Sequence, residues 1–138
     1  MAVINMQTMR YINLLDKATR VKTSKCFFYN NTIFFAVDGR DVSRAIGPSA
    51  INVRMIQERI GKRIKIVKDA DGVNDAQRFI EDIVSPVRIR SLDIKENCMT
   101  IVAGNSQNKA ILIGRNKRRF IELKKIVQEF FGVDLKIA

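Results

Sequence analysis

Two glycines sit where a backbone could do chemistry, each between two helical patterns: Ile46-Gly47-Pro48-Ser49-Ala50 and Ile113-Gly114-Arg115-Asn116-Lys117. A glycine at such a junction lets the main chain approach a ligand, and the helix that follows directs free N–H groups and partial positive charge outward. That arrangement suits a phosphate. Around the second glycine stand Lys109, Arg115, Lys117, Arg118 and Arg119. The first loop is itself neutral, and its cations lie farther off at Arg44, Arg54, Arg59, Lys62 and Arg63. The second loop is therefore expected to hold an anionic backbone more firmly. Its cations also occupy a first helical turn, where they oppose the helix dipole at a cost of about 0.3–1 kcal/mol each when exposed. A bound anion offsets that cost.

The composition narrows the chemistry further. The 138 residues carry 25 Lys+Arg against 14 Asp+Glu, a net charge of +11 spread along the chain, which points to a polyanionic partner. Histidine is absent, which removes the commonest general base, the usual zinc nitrogen ligand and every Ser-His or Cys-His nucleophile. Cys26 and Cys98 have no Cys or His nearby with which to build a zinc site, and they make no disulfide framework. There is no Gly-x-Ser-x-Gly, no phosphate loop of the Walker kind and no carboxylate pair in an apolar setting. The stretch DADGVND has Ile80 where a calcium loop needs its bidentate Glu. No enzymatic activity, cofactor, metal or small-molecule substrate is expected. The opening MAVINMQTMR lacks a basic region followed by an apolar one, and no apolar run approaches the ~18 residues of a membrane span. A cytoplasmic protein without a membrane partner is the reading.

The elements that must position the loops are written twice. A shift of 67 residues lays Thr32–Val37 on Met99–Gly104 and Ala45-Ile46-Gly47 on Leu112-Ile113-Gly114. Val53, Ile56 and Ile60 then follow one helix face in the first copy, as Phe120, Leu123 and Val127 do in the second, whose helix is one turn longer. Gly61 and Gly132 suit the left-handed position that ends a helix. Alternating strands follow at residues 63–67 and 133–137. Upstream, short amphipathic helices over 11–15 and 79–83 lead into strand pairs, 26–29 with 32–37 and 87–94 with 99–103, turning at Asn30-Asn31 and Lys95-Glu96-Asn97. Asp41 or Ser43, Asn105 or Ser106, and Asn74 or Asp75 are the candidate helix caps. One aromatic of each pair Phe27-Phe28 and Phe34-Phe35 is expected in the core, and the other on the open sheet face, as a contact between the two copies or with a partner protein. Phe130-Phe131 are expected to plug the second core.

The order helix, strand, strand, helix, helix, strand, with its helix–glycine–helix loop, resembles the prokaryotic type II KH domain, whose GXXG loop clamps about four nucleotides of RNA backbone. Ala110 to Lys117 and the segment from Asp75 through Pro86 resemble the second KH domain of the NusA transcription factors, and the whole chain resembles their short archaeal form. The resemblance implies an α+β fold of two tandem type II KH domains, residues 1–68 and 69–138, each a three-stranded sheet covered by three helices. It implies a single-stranded-RNA-binding factor of transcription elongation or termination, with Gly47, Pro48, Ser49, Ala50 and Arg54, and Lys109, Gly114, Arg115, Asn116, Lys117 and Arg118, at the RNA. The fourth loop position departs from GXXG in both copies, as Ala50 and Lys117, and Pro48 removes an N–H. The alternative is a scaffold with degenerate loops that docks on RNA polymerase or another transcription protein.

Overall fold

The computed structural model describes residues 6–138; residues 1–5, which open the N-terminal stretch and the first expected domain, lie outside the described residues. The described residues divide into two compact units, 6–69 and Ala70–Ala138. The first runs α1 (Met6–Thr19), β1 (Lys25–Tyr29), β2 (Thr32–Val37), α2 (Val42–Ile46), α3 (Ile51–Ile60) and β3 (Arg63–Lys68). The second repeats that order as α4 (Ala76–Val84), β4 (Ser91–Lys95), β5 (Cys98–Val102), α5 (Ser106–Ile113), α6 (Arg118–Phe131) and β6 (Asp134–Ile137). The described residues are thus α+β, with two three-stranded sheets and six α-helices.

In each sheet the middle strand in sequence is also the middle strand in space. β2 pairs antiparallel with β1 and parallel with β3, and β5 does the same between β4 and β6. Both hairpins turn on two residues with positive φ, Asn30 (50°) with Asn31 (58°) and Glu96 (51°) with Asn97 (62°). A two-residue turn of this kind matches the twist of the strands it joins.

The hairpins correct the alignment of the two copies. Ile33 and Met99 are the core residues that pair with Ile64 and Leu135, so the hairpin strands correspond at an offset of 66 residues. The loops correspond at 67. A one-residue slip moves every side chain to the other face, so laying Thr32 on Met99 would match a half-buried residue with a buried one. The extra residue of the second copy falls between β5 and the loop glycine, Gly114.

The first core gathers Leu15, Val21, Cys26, Ile33, Phe35, Val37, Ala45, Ile56, Ile64 and Ile66 between sheet and helices. On the opposite sheet face Phe27, Tyr29 and Phe34 are also buried, and the rings of Phe27 and Phe34 stack at 5.3 Å. One aromatic of each pair, Phe28 and Phe35, thus faces this core, and the other, Phe27 and Phe34, the opposite sheet face, as strand alternation requires. In the second unit Phe79, Ile80, Met99, Ile101, Leu112, Leu123 and Val127 are fully buried. Phe130 stacks on Phe79 at 5.1 Å and Phe131 meets it edge-on, so the aromatic pair of α6 does plug this core.

Other local expectations shift by a few residues. The strand expected over 87–94 begins only at Ser91. Val87 N–H is held in a turn by Val84 O (3.0 Å), and Arg88 O accepts from Asn108 Nδ2 (3.1 Å) instead of a ladder partner. Asn105 caps α5, accepting from Asn108 N–H at 2.7 Å. Asp41 and Asp75 precede α2 and α4 without a side-chain cap bond. Asp75 is engaged elsewhere, by Arg78 at 2.6 Å and by the N–H of Asp71. Gly61 and Gly132 do end α3 and α6 in the left-handed region, donating to Gln57 O and Gln128 O.

Burial pushes the Cys26 thiol from its ordinary 9.0 up to about 12, so it stays protonated and inert as a ligand or nucleophile. With the folded value above the unfolded one, this favours the folded state fully up to about pH 9 and is lost as pH climbs from there toward 12. We predict that a thiol reagent at neutral pH labels half-buried Cys98 in the native protein and reaches Cys26 only after denaturant is added. Prompt labelling of both cysteines would contradict the core assigned here.

Candidate functional site

Parallel pairing of β2 with β3 obliges the chain to cross from one end of the sheet to the other, and α2 and α3 make that crossing. The first loop is the corner between them; the second is the same corner between α5 and α6. Their backbones nearly coincide. Gly47 and Gly114 have φ/ψ of 79°/167° and 75°/173°, Ser49 and Asn116 53°/32° and 56°/29°, and Ala50 and Lys117 58°/30° and 58°/23°.

Both glycines fall in a region that essentially only glycine occupies. Space imposes the same choice: a Cβ on Gly47 would lie 2.8 Å from Asn52 Nδ2, and one on Gly114 would lie 3.0 Å from Arg119 Cγ. These neighbours are themselves equivalent. Five residues after each glycine, Asn52 donates to Arg44 O at 3.1 Å, and Arg119 reaches Ile111 O in a long contact of 3.5 Å. Each clasp ties the start of the second helix to the end of the first across the glycine. Sequence reasoning missed both clasps and saw Arg119 only as one of the cations around the second loop. The signal was a side-chain donor five residues beyond the glycine in each copy.

Much of the loop's hydrogen bonding is internal. Gly47 N–H donates to Ser43 O and Gly114 N–H to Ala110 O, both at 2.9 Å. Ala50 N–H turns back to Gly47 O (3.1 Å), and Lys117 N–H to Gly114 O (3.2 Å). The fourth loop position therefore does not aim its N–H at a ligand, contrary to the simplest picture of a phosphate seat. With Pro48 lacking an N–H, Ser49 is the only residue of the first loop whose N–H is outside these bonds. The second loop keeps two, on Arg115 and Asn116. Neither α3 nor α6 has a side-chain cap over its first turn.

The side chains differ more than the backbones. Arg115, Asn116, Lys117 and Arg118 are exposed, as is Lys109 on α5. Among the described residues no carboxylate is paired with any of these four cations. At the first loop Pro48 and Ser49 are exposed, Ala50 is half-buried, and Arg54 folds back to donate to Ser49 O at 2.9 Å. Arg44 is engaged by Asp41 at 2.9 Å. Where the second copy has Arg118 and Glu122, the first exposes Ile51 and Met55, 54% and 41% accessible. Among the described residues no cluster of His, Cys, Asp and Glu could hold a metal ion, and no helix is long and apolar enough to cross a membrane.

No family model matches the chain. It is 25% identical over 128 residues to the "Probable transcription termination protein NusA" of Halococcus morrhuae, covering 91% of this chain and 90% of that one. It is 24% identical over 133 residues to the protein of the same name from Methanocaldococcus jannaschii, covering 85% and 71%. The chain is similar to archaeal NusA-like proteins. A third protein of that name, from Methanococcus vannielii, is 25% identical over 93 residues, covering 67% of this chain and 52% of that one. The crystal structure of APE1850 superposes with a TM-score of 0.71 at 24% identity, covering 98% of this chain and all of that one, and so shares its fold.

The loop geometry makes stability predictions independent of any ligand. Gly114→Ala is expected to cost about 1–3 kcal/mol through its backbone conformation, and more through the clash with Arg119. Lys117→Gly trades a left-handed strain of roughly 1–2 kcal/mol against a more flexible unfolded chain, and should stabilise by up to about 1 kcal/mol. Urea denaturation of each variant reads both; a neutral Gly114→Ala would refute the account of the loop.

Proposed function

We propose that this chain is a non-catalytic, single-stranded-RNA-binding factor of the transcription elongation or termination class, built of two type II KH domains, residues 1–68 and 69–138. The observation that carries the reading is the second loop, a rigid corner bearing Arg115, Lys117 and Arg118 exposed and without a paired carboxylate among the described residues. The names of its relatives support the process. The fold support comes from two copies of one element order, each with the loop at the same corner.

In this reading the sugar-phosphate backbone lies across the loop. The N–H groups of Arg115 and Asn116 and the side chains of Arg115, Lys117, Arg118 and Lys109 meet its phosphates, and the bases point away for reading. Most of the affinity is electrostatic. Gly114 fixes the corner, and Arg119 keeps it closed. The first loop is the weaker site: Gly47, Pro48, Ser49 and Ala50 bring one uncommitted N–H, and Arg54 is partly spent on Ser49 O. RNA in a transcription complex is the partner, in the cytoplasm, with no cofactor.

The exposed Ile51 and Met55 beside the first loop favour a second reading, in which that loop docks on RNA polymerase or another transcription protein. Anisotropy of labelled single-stranded RNA separates the two. Under the RNA reading, Arg115→Glu/Lys117→Glu lowers affinity at least about tenfold in moderate salt and makes the log–log salt slope shallower by about 1.4, two phosphates at ~0.7 each. Equal binding by the variant would sink the loop assignment and leave the docking reading in the lead.

A further inference from the structure

The excess of positive charge does not sit where the better loop sits. Residues 1–69 hold thirteen Lys and Arg against five Asp and Glu, and residues 70–138 hold twelve against nine. Between Asp41 and Asp69 the first unit has seven cations and a single acid, Glu58. Three of those cations, Arg59, Lys62 and Arg63, fall within five residues at the turn from α3 into β3. All three are exposed, and among the described residues none has a carboxylate paired with it.

The turn that presents them is fixed at both ends by one residue. Gln57 accepts from Gly61 N–H through its backbone oxygen (2.8 Å) and from Ile64 N–H through Oε1 (3.0 Å). Gly61 takes the left-handed conformation between these bonds. Pairing of Arg63 with Thr32 then sets the turn beside the Asn30-Asn31 hairpin.

The fold does not need cations here. The corresponding turn of the second unit ends on Gly132 in the same left-handed conformation, yet has Phe130, Val133 and Asp134 in place of Arg59, Lys62 and Arg63. The helix dipole accounts for Arg59, in the last turn of α3, but not for Lys62 and Arg63 beyond it. Nor does the surface suit a peptide. Protein interfaces have an apolar core, whereas the exposed residues beside these cations and on the adjoining hairpin turn are Glu58, Gly61, Asn30 and Asn31.

We infer that the α3–β3 turn is a second phosphate-contact site, through which the first unit holds RNA backbone by Arg59, Lys62 and Arg63 rather than chiefly by its own loop. This rests on the reading of the chain as RNA-binding. The turn lies at the opposite end of α3 from the first loop, about 15 Å away along a ten-residue helix, so it is a separate site. It reads no sequence; phosphate contacts position a strand without specifying it.

The test is the same RNA anisotropy, on the full chain, with Arg59→Gln/Lys62→Gln/Arg63→Gln, with Lys62→Glu alone, and with the charge-retaining Arg59→Lys/Arg63→Lys. The triple variant should bind about tenfold or more weakly in moderate salt, with a slope shallower by about 2. Lys62→Glu, altered outside both helix and strand, should weaken binding in the same direction should the triple variant fold poorly. The charge-retaining pair should keep the slope of the unaltered chain. If the unaltered chain binds RNA and the triple variant and Lys62→Glu bind equally well, the turn assignment is overturned while the loop reading stands. If the second-loop variant binds normally and the turn variants do not, the loop reading falls and the turn stands. RNA binding absent from the unaltered chain overturns both.

Discussion

A parallel pair of strands cannot be closed by a hairpin, and this one restriction organises both halves of the molecule. Because β2 and β3 run side by side in the same direction, the chain must leave the end of one and return to the start of the other. Two short helices and a corner make the return. The corner has to reverse direction in four residues, which fixes a glycine in a conformation other residues avoid and two left-handed residues after it. The crossover that completes the sheet thereby creates an exposed, stiff projection of backbone. The candidate site is a by-product of the topology, and it occurs twice because the topology does.

The projection is held by ordinary forces. Hydrogen bonds from Gly47 and Gly114 close the preceding helix, those from Ala50 and Lys117 close the corner, and Asn52 and Arg119 bridge the two helices over the glycine. Ala50 and Lys117 stay in the left-handed region at some strain because the bonds on either side leave no alternative path. What remains outside this internal bonding is small: one or two N–H groups and whatever side chains the second and fourth positions carry. The difference in cationic character between the loops is therefore a matter of side chains mounted on a common frame.

Much of this was legible in the sequence, for definable reasons. The element order and the two glycines could be read because strands of period two, helices of period 3.6 and a repeat all pointed the same way. The helix stops at Gly61 and Gly132 were read from residue type alone, and the structure has them there. What escaped was set by contacts distant in sequence. The late start of β4 depends on Asn108 taking the carbonyl of Arg88, and the 66-residue strand offset depends on which residues face the core. That Phe27 and Phe34 lie on the face opposite the core follows from strand alternation; how far that face is covered does not. The clasp by Arg119 escaped because its charge was visible and its direction was not. The charge-rich turn at Arg59, Lys62 and Arg63 was visible as a list of cations, but only the fold separates it from the loop.

The near identity of the two corners has one more consequence. Pro48-Ser49-Ala50 and Arg115-Asn116-Lys117 share no residue, yet their backbones agree within about ten degrees wherever both are known to turn left-handed. Shape here is inherited from the glycine and the crossover, so the remaining positions are released from any duty to the fold. Such a frame lets a duplicated chain diversify: one copy can lose or gain affinity for an anion, or exchange charge for grease, by point changes that leave its companion and the scaffold untouched.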